Sequence, residues 1–303
     1  MMNTIGQALD LSSATVSECC RLFHGRGHCY PGLEFINVDW LPPVCLITVY
    51  KEVDKKWLEQ LVELLHKNLA WCRSVQVQYR CRPNAPFEIL WGEAIKQTVV
   101  VENSLKFSVN FGSTQNTGLF LDMKNGRQWV LENARDKRVL NLFAYTCGFS
   151  VAAISGGAQQ VLNIDNNRSV LNKGRENHQL NHNELQNVQF QKLDIFKSWG
   201  RIKKQGPYDL LICDPPTYQV GSVNIQRDYK KIIARIPQWM RPDGQLLLCL
   251  NSPDLSDIFL QEQVEEHCPH CVFEEVISPP RVFSEAHEGK GLKTILFTYK
   301  PGS

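Results

Sequence analysis

An α/β fold, with a seven-stranded sheet following a smaller α+β domain, is predicted by three features of this 303-residue chain. After residue 137, apolar runs of strand length alternate strictly with runs of helical length, as in a doubly wound parallel sheet. The two closing runs, FEEVISPP and KTILFTYK, have no helix between them and so pair as an antiparallel edge. Earlier in the chain the order is mixed: strand, helix, strand, hairpin. The expected domains are therefore 1–112 and 113–303.

In the first domain VCLITVY reads as a strand, and Trp57, Leu61, Leu64, Leu65 and Leu69 then recur at helical spacing. VQVQYRCR is the next strand and RPNAPFE a turn. Val99, Val101, Leu105, Phe107 and Val109 flank the turn Glu102-Asn103-Ser104, which predicts a hairpin. TGLFLDMKNGRQWVLENA leads out as a short strand and a helix. In the second domain RVLNLFA is strand one, with CGFSVAAISGG its helix. VLNID follows with RSVLNKGRENHQLN, then VQFQKLDIF. YDLLICD is strand four, followed by the helix QRDYKKIIARIPQWM. GQLLLCLNS is strand five, and DIFLQEQVEEHC its helix.

Composition narrows the partners. With 33 basic and 31 acidic residues, the net charge of +2 gives no global footprint for nucleic acid. The run WCRSVQVQYRCR (71–82) is an exception: Arg73, Arg80 and Arg82 lie with Trp71 and Tyr79 and no acid. That mixture suits phosphates and exposed bases, and equally a solvated strand face. No apolar run reaches the length of about 18 residues that spans a membrane. The first residues lack the basic and apolar regions of a secretory signal. Eleven irregularly spaced cysteines read as reduced thiols of a cytoplasmic protein. His267, Cys268, His270 and Cys271 form a metal-like cluster with no second CxxC or HxxxH, so no metal is expected.

The chemistry concentrates at strand ends. LICDPPTY (211–218) stops a buried strand with Asp214, Pro215, Pro216 and Tyr218. Proline cannot continue a central ladder, so these residues are delivered at the carboxyl edge, where open α/β sheets bind ligands. Fixed carbonyls, a carboxylate and a π face suit a planar, nitrogen-rich ring; a plain turn is the alternative. The turn after strand one, NLFAYTCGFS (141–150), carries a single glycine, Gly148. A dinucleotide needs several close backbone approaches for its pyrophosphate, so NAD is disfavoured. S-adenosylmethionine, which has no phosphate, fits better. Asp165 after strand two can take ribose hydroxyls, Asp194 after strand three the adenine amino group, and Asp214 the methionine end. Each could also be a turn former; three at successive strand ends mark a cofactor edge.

The chain resembles the 23S ribosomal RNA base methyltransferases of the RlmI/RlmK type, from about residue 20 to its end. The resemblance rests on NTGLFLD (116–122), VLNLFAYTCGFSV (139–151), IDNN (164–167), LD (193–194), DPPTY (214–218) and QRDY (226–229). GRGHCYPGLEFINVD (25–39), WGE (91–93) and ENSLKF (102–107) support it. It implies a Rossmann-like class I methyltransferase sheet with a reversed last strand, an amino-terminal substrate-binding domain, S-adenosylmethionine, and large-subunit ribosomal RNA as partner. By motif, Phe120 and Asp122 lie against the cofactor, and Asn141, Phe143, Tyr145, Gly148 and Ser150 form its first loop. Two departures stand out. Members that methylate cytosine C5 usually begin with a PUA domain, and about 20 residues before the match are too few for one. The Gly-Gly of many relatives is Cys147-Gly148 here, tolerable if residue 147 keeps φ below zero.

Cytosine C5 becomes nucleophilic only after a cysteine thiolate attacks C6. In carbon-methylating relatives that thiol follows strand five in a Ser-Cys-Ser context. Here CLNSPD (249–254) puts Asn251 at or next to that position, while Cys249 and Cys213 lie inside apolar strands. A ring nitrogen such as guanine N7 needs no covalent intermediate. On that reading Tyr218 stacks a flipped base, Asp214 holds its edge or the cofactor, and Gln226, Arg227 and Asn251 position the substrate. A methyltransferase of small molecules or proteins, and an idle RNA-binding relative, are the alternatives. Acids at all three strand ends argue against idleness, and a dedicated first domain favours a macromolecule.

Overall fold

The computed structural model describes residues 2–11, 14, 17–112, 114–216, 218–219, 223–252, 255–287 and 289–302, with Tyr218, Gln219 and Val223 described by backbone alone. The chain forms two compact units. The first is Met1–Lys124 with Pro280–Glu288, running past the boundary expected at residue 112; the second is Asn125–Pro279 with Gly289–Ser303.

In the first unit, α1 (Met2–Ala8) precedes β1 (Cys20–His24), β2 (Ile36–Leu41) and β3 (Val44–Val49), and α2 (Lys55–Asn68) leads to β4 (Ser74–Tyr79) and β5 (Phe87–Gly92). These strands form one sheet in the order β1-β2-β3-β4-β5. Only β3 and β4 among them pair in parallel, and a parallel pair needs a crossover, which α2 supplies. Asp54 caps α2 by accepting from the Trp57 N–H at 3.2 Å, and Leu58, Leu61, Val62 and Leu65 are its buried stripe. The other sheet face is polar and tied down. Gln76 donates to the Ile95 carbonyl at 2.7 Å and Gln78 to that of Gln115 at 2.8 Å. The expected hairpin forms as β6 (Gln97–Glu102) and β7 (Leu105–Asn110), turning at Asn103 and Ser104 with φ of 52° and 63°. Two left-handed residues suit the twist of a two-residue hairpin turn.

The second unit alternates as expected: α3 (Lys124–Asn133), β8 (Arg138–Leu142), α4 (Gly148–Ser155), β9 (Gln160–Asp165), α5 (Arg168–Leu180) and β10 (Val188–Lys192). Then come α6 (Trp199–Gln205), β11 (Tyr208–Cys213) and a small hairpin of β12 (Tyr218–Gln219) and β13 (Val223–Asn224). The chain closes with α7 (Ile225–Ile233), α8 (Ile236–Trp239), β14 (Met240–Asn251), α9 (Asp257–His267), β15 (Cys271–Val276) and β16 (Leu292–Tyr299). The sheet order is β10-β9-β8-β11-β14-β16-β15, and β16 runs antiparallel to both neighbours. This is the seven-stranded arrangement with a reversed last strand. Its core joins Ile164, Leu211, Leu246, Leu248, Phe297 and Trp239.

Three local expectations change. TGLFLD forms no strand; Leu121–Met123 is a single 3-10 turn entering α3. The run expected as one helix through Met240 divides into α7 and α8, with Pro237 in the first turn of α8 and Met240 already in β14. Strands β1, β2 and β5 had no place in the expected first domain. β2 is buried at every residue, so it lacks the alternation by which a half-exposed strand is recognised.

The strand order reverses between β8 and β11, and open sheets leave a crevice outside the carboxyl ends of the strands at such a point. Among the described residues, no helix is long and apolar enough to cross a membrane.

Candidate active site

The loop from β8 to α4 is unusual in its backbone. Phe143, Tyr145 and Cys147 have φ of 56°, 48° and 61°, so every second residue is left-handed without being glycine. Such conformations cost of order 1–3 kcal/mol each and concentrate at ligand sites. The condition set for a cysteine at residue 147, φ below zero, is not met. The conformation is held by Cys147 N–H donating to the Ala144 carbonyl at 2.7 Å and by Ala144 N–H donating to that of Ile164 at 3.0 Å. Space for the thiol comes from α5, where a Cβ on Gly174 would lie 2.4 Å from the Cys147 Sγ.

Below the loop runs a buried polar chain. Asn141 and Asn163 are register partners on β8 and β9, and Asn141 Nδ2 donates to Asn163 Oδ1 at 2.9 Å. Asn163 donates in turn to Ser150 Oγ at 2.9 Å, and Ser150 lies 2.9 Å from His178 Nε2. Asn183 Nδ2 donates to His178 Nδ1 at 3.1 Å, so Nε2 carries the ring proton and donates to Ser150. Burial lowers His178 to about 4, which keeps the ring neutral. Asn177 adds a bond to the Thr146 carbonyl at 3.0 Å. Asn141 and Ser150 were expected in the cofactor loop; both are buried, 2% and 0% exposed, and they brace it from beneath. His178, Asn163 and Asn177 were missed. The signal for Asn163 was present, an asparagine at the same place in VLNL and VLNI.

The three acids stand after consecutive strands but in different surroundings. Asp165 Oδ2 accepts from the Tyr145 N–H at 3.0 Å and Oδ1 from that of Asn167 at 2.8 Å. Burial raises its carboxyl above the ordinary value, against these backbone donors. Asp194 accepts from the Phe196 N–H at 3.0 Å as the cap of a short turn, and lies 3.3 Å from Lys197. Asp214 follows β11, half-buried, with Pro215 buried and Pro216 exposed. The Tyr218 side chain lies outside the described residues; its backbone pairs with Asn224.

QRDY has a structural content that sequence reasoning missed. Asp228 accepts from the Asn224 N–H at 3.0 Å and from both Arg227, at 2.9 and 2.7 Å, and Lys231 at 2.7 Å. Hydrogen bonds from Arg227 hold its carboxyl far below the usual range. The Tyr229 hydroxyl lies 3.2 Å from the Cys213 carbonyl and 3.0 Å from that of Cys249, spanning the ends of β11 and β14. Gln226 is exposed on the same helix. Asn251 is the exposed last residue of β14, and the buried Lys293 donates to the Ser252 carbonyl beside it at 2.8 Å. Cys213 and Cys249 are both 0% exposed, and burial pushes the Cys213 thiol well up.

The remaining expected residues fall in the first unit. Phe120 is exposed and Asp122 lies in the 3-10 turn. The arginines of 71–82 do not form one patch. Arg73 precedes β4 and Arg80 and Arg82 follow it, so six residues at ~3.3 Å each separate them. Arg73 is bidentate to Glu93 and Arg82 to Glu52, while Arg80 donates to the Gln115 carbonyl. Tyr79 is buried; Trp71, by contrast, is exposed. Trp91, which packs edge-on against His66 at 4.1 Å, is exposed as well.

A family model described as S-adenosylmethionine-dependent methyltransferase matches residues 20–298. Ribosomal RNA large subunit methyltransferase I of Aeromonas salmonicida is 35% identical over 164 residues, 52% of this chain and 41% of the relative. Ribosomal RNA large subunit methyltransferase K/L of Pseudoalteromonas translucida is 32% identical over 212 residues, 66% of this chain and 30% of the relative. The matched stretches thus span less than half of these relatives. A solved structure from Streptococcus mutans, assigned as an S-adenosylmethionine-dependent methyltransferase, superposes with a TM-score of 0.86 at 21% identity, covering 98% of this chain and 81% of that one. The Methanocaldococcus jannaschii tRNA m1G37 methyltransferase gives 0.64 at 17% identity, over 88% and 76%.

Proposed function

The chain belongs to the S-adenosylmethionine-dependent methyltransferase family, and we propose that it methylates a base of large-subunit ribosomal RNA at a ring nitrogen, guanine N7 in chemistry. The bound cofactor supplies a methyl group on a sulfonium, open to displacement. The observation that carries the assignment of its site is the row of Asp165, Asp194 and Asp214 after consecutive strands, beside the left-handed loop 143–147. Asp165 is the acceptor for the ribose hydroxyls: both its oxygens are oriented by backbone donors and retain lone pairs. Asp194 accepts from the adenine amino group. Asp214 and the loop N–H groups hold the methionine end.

Nitrogen is favoured over carbon by the end of β14. A carbon-5 reaction requires an accessible thiolate. Asn251 occupies that end, and the nearby thiols of Cys249 and Cys213 are sealed in the sheet. A ring nitrogen attacks with its own lone pair, so the protein's task is to align the base and exclude water. Tyr218 stacks it, and Gln226, Arg227 and Asn251 orient it. The names of the relatives support ribosomal RNA as the substrate. In the first unit, exposed Trp71 and Trp91 offer faces for stacking bases, and Arg73, Arg80 and Arg82 meet phosphate at two separate points.

Mass spectrometry of ribosomal RNA nucleosides, from a strain lacking the protein and from its parent, tests this. Loss of a methylated guanosine is expected. Loss of 5-methylcytidine instead would overturn the nitrogen assignment, and an unchanged nucleoside profile the ribosomal RNA assignment.

A further inference from the structure

The segment His267-Cys268-Pro269-His270-Cys271 takes no part in the methyl-transfer site. Cys268 caps the carboxyl end of α9 and Cys271 opens β15, and the tight turn between them closes with the Cys271 N–H donating to the Cys268 carbonyl at 2.9 Å. The turn brings the two sulfurs to 3.3 Å, with Cys271 donating its S–H to Cys268. Cys268 is buried in the sheet core, and Cys271 is half-buried with exposed Pro269 and His270 beside it.

We propose that Cys268 and Cys271 are a reversible redox pair, oxidised to an intramolecular disulfide by a small-molecule disulfide. The sulfurs need approach by little more than an ångström to reach the ~2.05 Å of a disulfide bond. Cys271, the outer sulfur, attacks the small disulfide as the thiolate and releases one half of it as a thiol. Cys268 then attacks the Cys271 sulfur and releases the other half. In sum, two protein thiols give up two electrons and two protons, and one small disulfide becomes two thiols. The sulfur–sulfur hydrogen bond lowers Cys268 and raises Cys271, so the ionised pair carries its charge on Cys268 and the shared proton passes to that sulfur as Cys271 attacks.

Two features make this a modification site rather than a disulfide-exchange enzyme or a metal site. The pair sits at the carboxyl end of a helix, whose dipole opposes a standing thiolate. Among the described residues, no group of three or more His, Cys, Asp or Glu is arranged to hold a metal. The bond would close a ring of four residues, which removes little chain entropy, so oxidation remains readily reversible.

The test uses the intact protein, equilibrated with oxidised glutathione while folded and then alkylated in denaturant, so that buried thiols react. The expected result is two of the eleven thiols lost to alkylation, a peptide spanning Cys268 and Cys271 lighter by two hydrogens, and full recovery with dithiothreitol. Cys271→Ser should instead keep Cys268 alkylatable. Full alkylation of both residues, after the folded wild-type protein has been equilibrated with oxidised glutathione and then unfolded, would overturn the proposal. So would a glutathione adduct that persists on Cys271 without release by Cys268.

Discussion

Cys147 and Gly174 are fitted to each other: the thiol of the left-handed Cys147 fills the space that a Cβ on Gly174 would occupy, 2.4 Å from its Sγ. The loop carries a side chain at residue 147, and the neighbouring helix makes room for it. Gly174→Ala should therefore destabilise the protein by about 1–3 kcal/mol through overpacking. Cys147→Gly should recover most of that loss in the double variant, since residues in contact couple. Urea denaturation of the four proteins measures the coupling. Additive effects would mean the two residues are not fitted.

Cofactor affinity should depend on Asp165. Replacing it with Ala removes a charged acceptor, a loss of about 1.5–3 kcal/mol. Titration calorimetry with S-adenosylmethionine, on a variant shown to be folded, provides the measurement. Undiminished binding would remove Asp165 from the cofactor site.

Acid should weaken the fold through His178. Its folded value of about 4 lies below the ordinary 6.5, so the unfolded chain binds the proton first as pH falls. The stability from the neutral ring is complete above pH 6.5 and is lost between there and about 4, at no more than ~1.4 kcal/mol per pH unit. His24, lowered to about 3 by burial and by Arg21, acts in the same direction in the first unit. Denaturation midpoints between pH 7 and 5 should fall less steeply in His178→Gln than in the wild type. Equal slopes would show that the ring does not titrate as described.

Turnover should survive Cys213→Ser and Cys249→Ser. Each places a hydroxyl in an apolar strand interior, at a cost to stability of about 1–3 kcal/mol. If either variant folds and binds cofactor but transfers no methyl group, the reaction runs through a thiol adduct and the target is carbon.

The second unit was legible because its parallel strands are continuous apolar runs set between helices. The acids could be placed because each follows such a run. What each acid does was not legible. Asp194 caps a turn, Asp165 collects backbone donors, and Asp228 draws in two cations; these depend on partners distant in space or on local backbone shape. In the first unit β1 and β5 escaped detection because pairing, more than their own pattern, makes them strands. The arginine run looked like a patch in one dimension, but a strand between its members separates them.

The Tyr229 hydroxyl has one proton and two carbonyls to share it with, those of Cys213 and Cys249. It therefore acts as a pin through the ends of two strands, held from α7. Asp214 follows one of these carbonyls directly, and Asn251 lies two residues beyond the other. The ladder between β11 and β14 already holds the two strands side by side, so the pin adds a third element to them: α7, with exposed Gln226 and Arg227, is anchored to the strands that end in the acid and the amide.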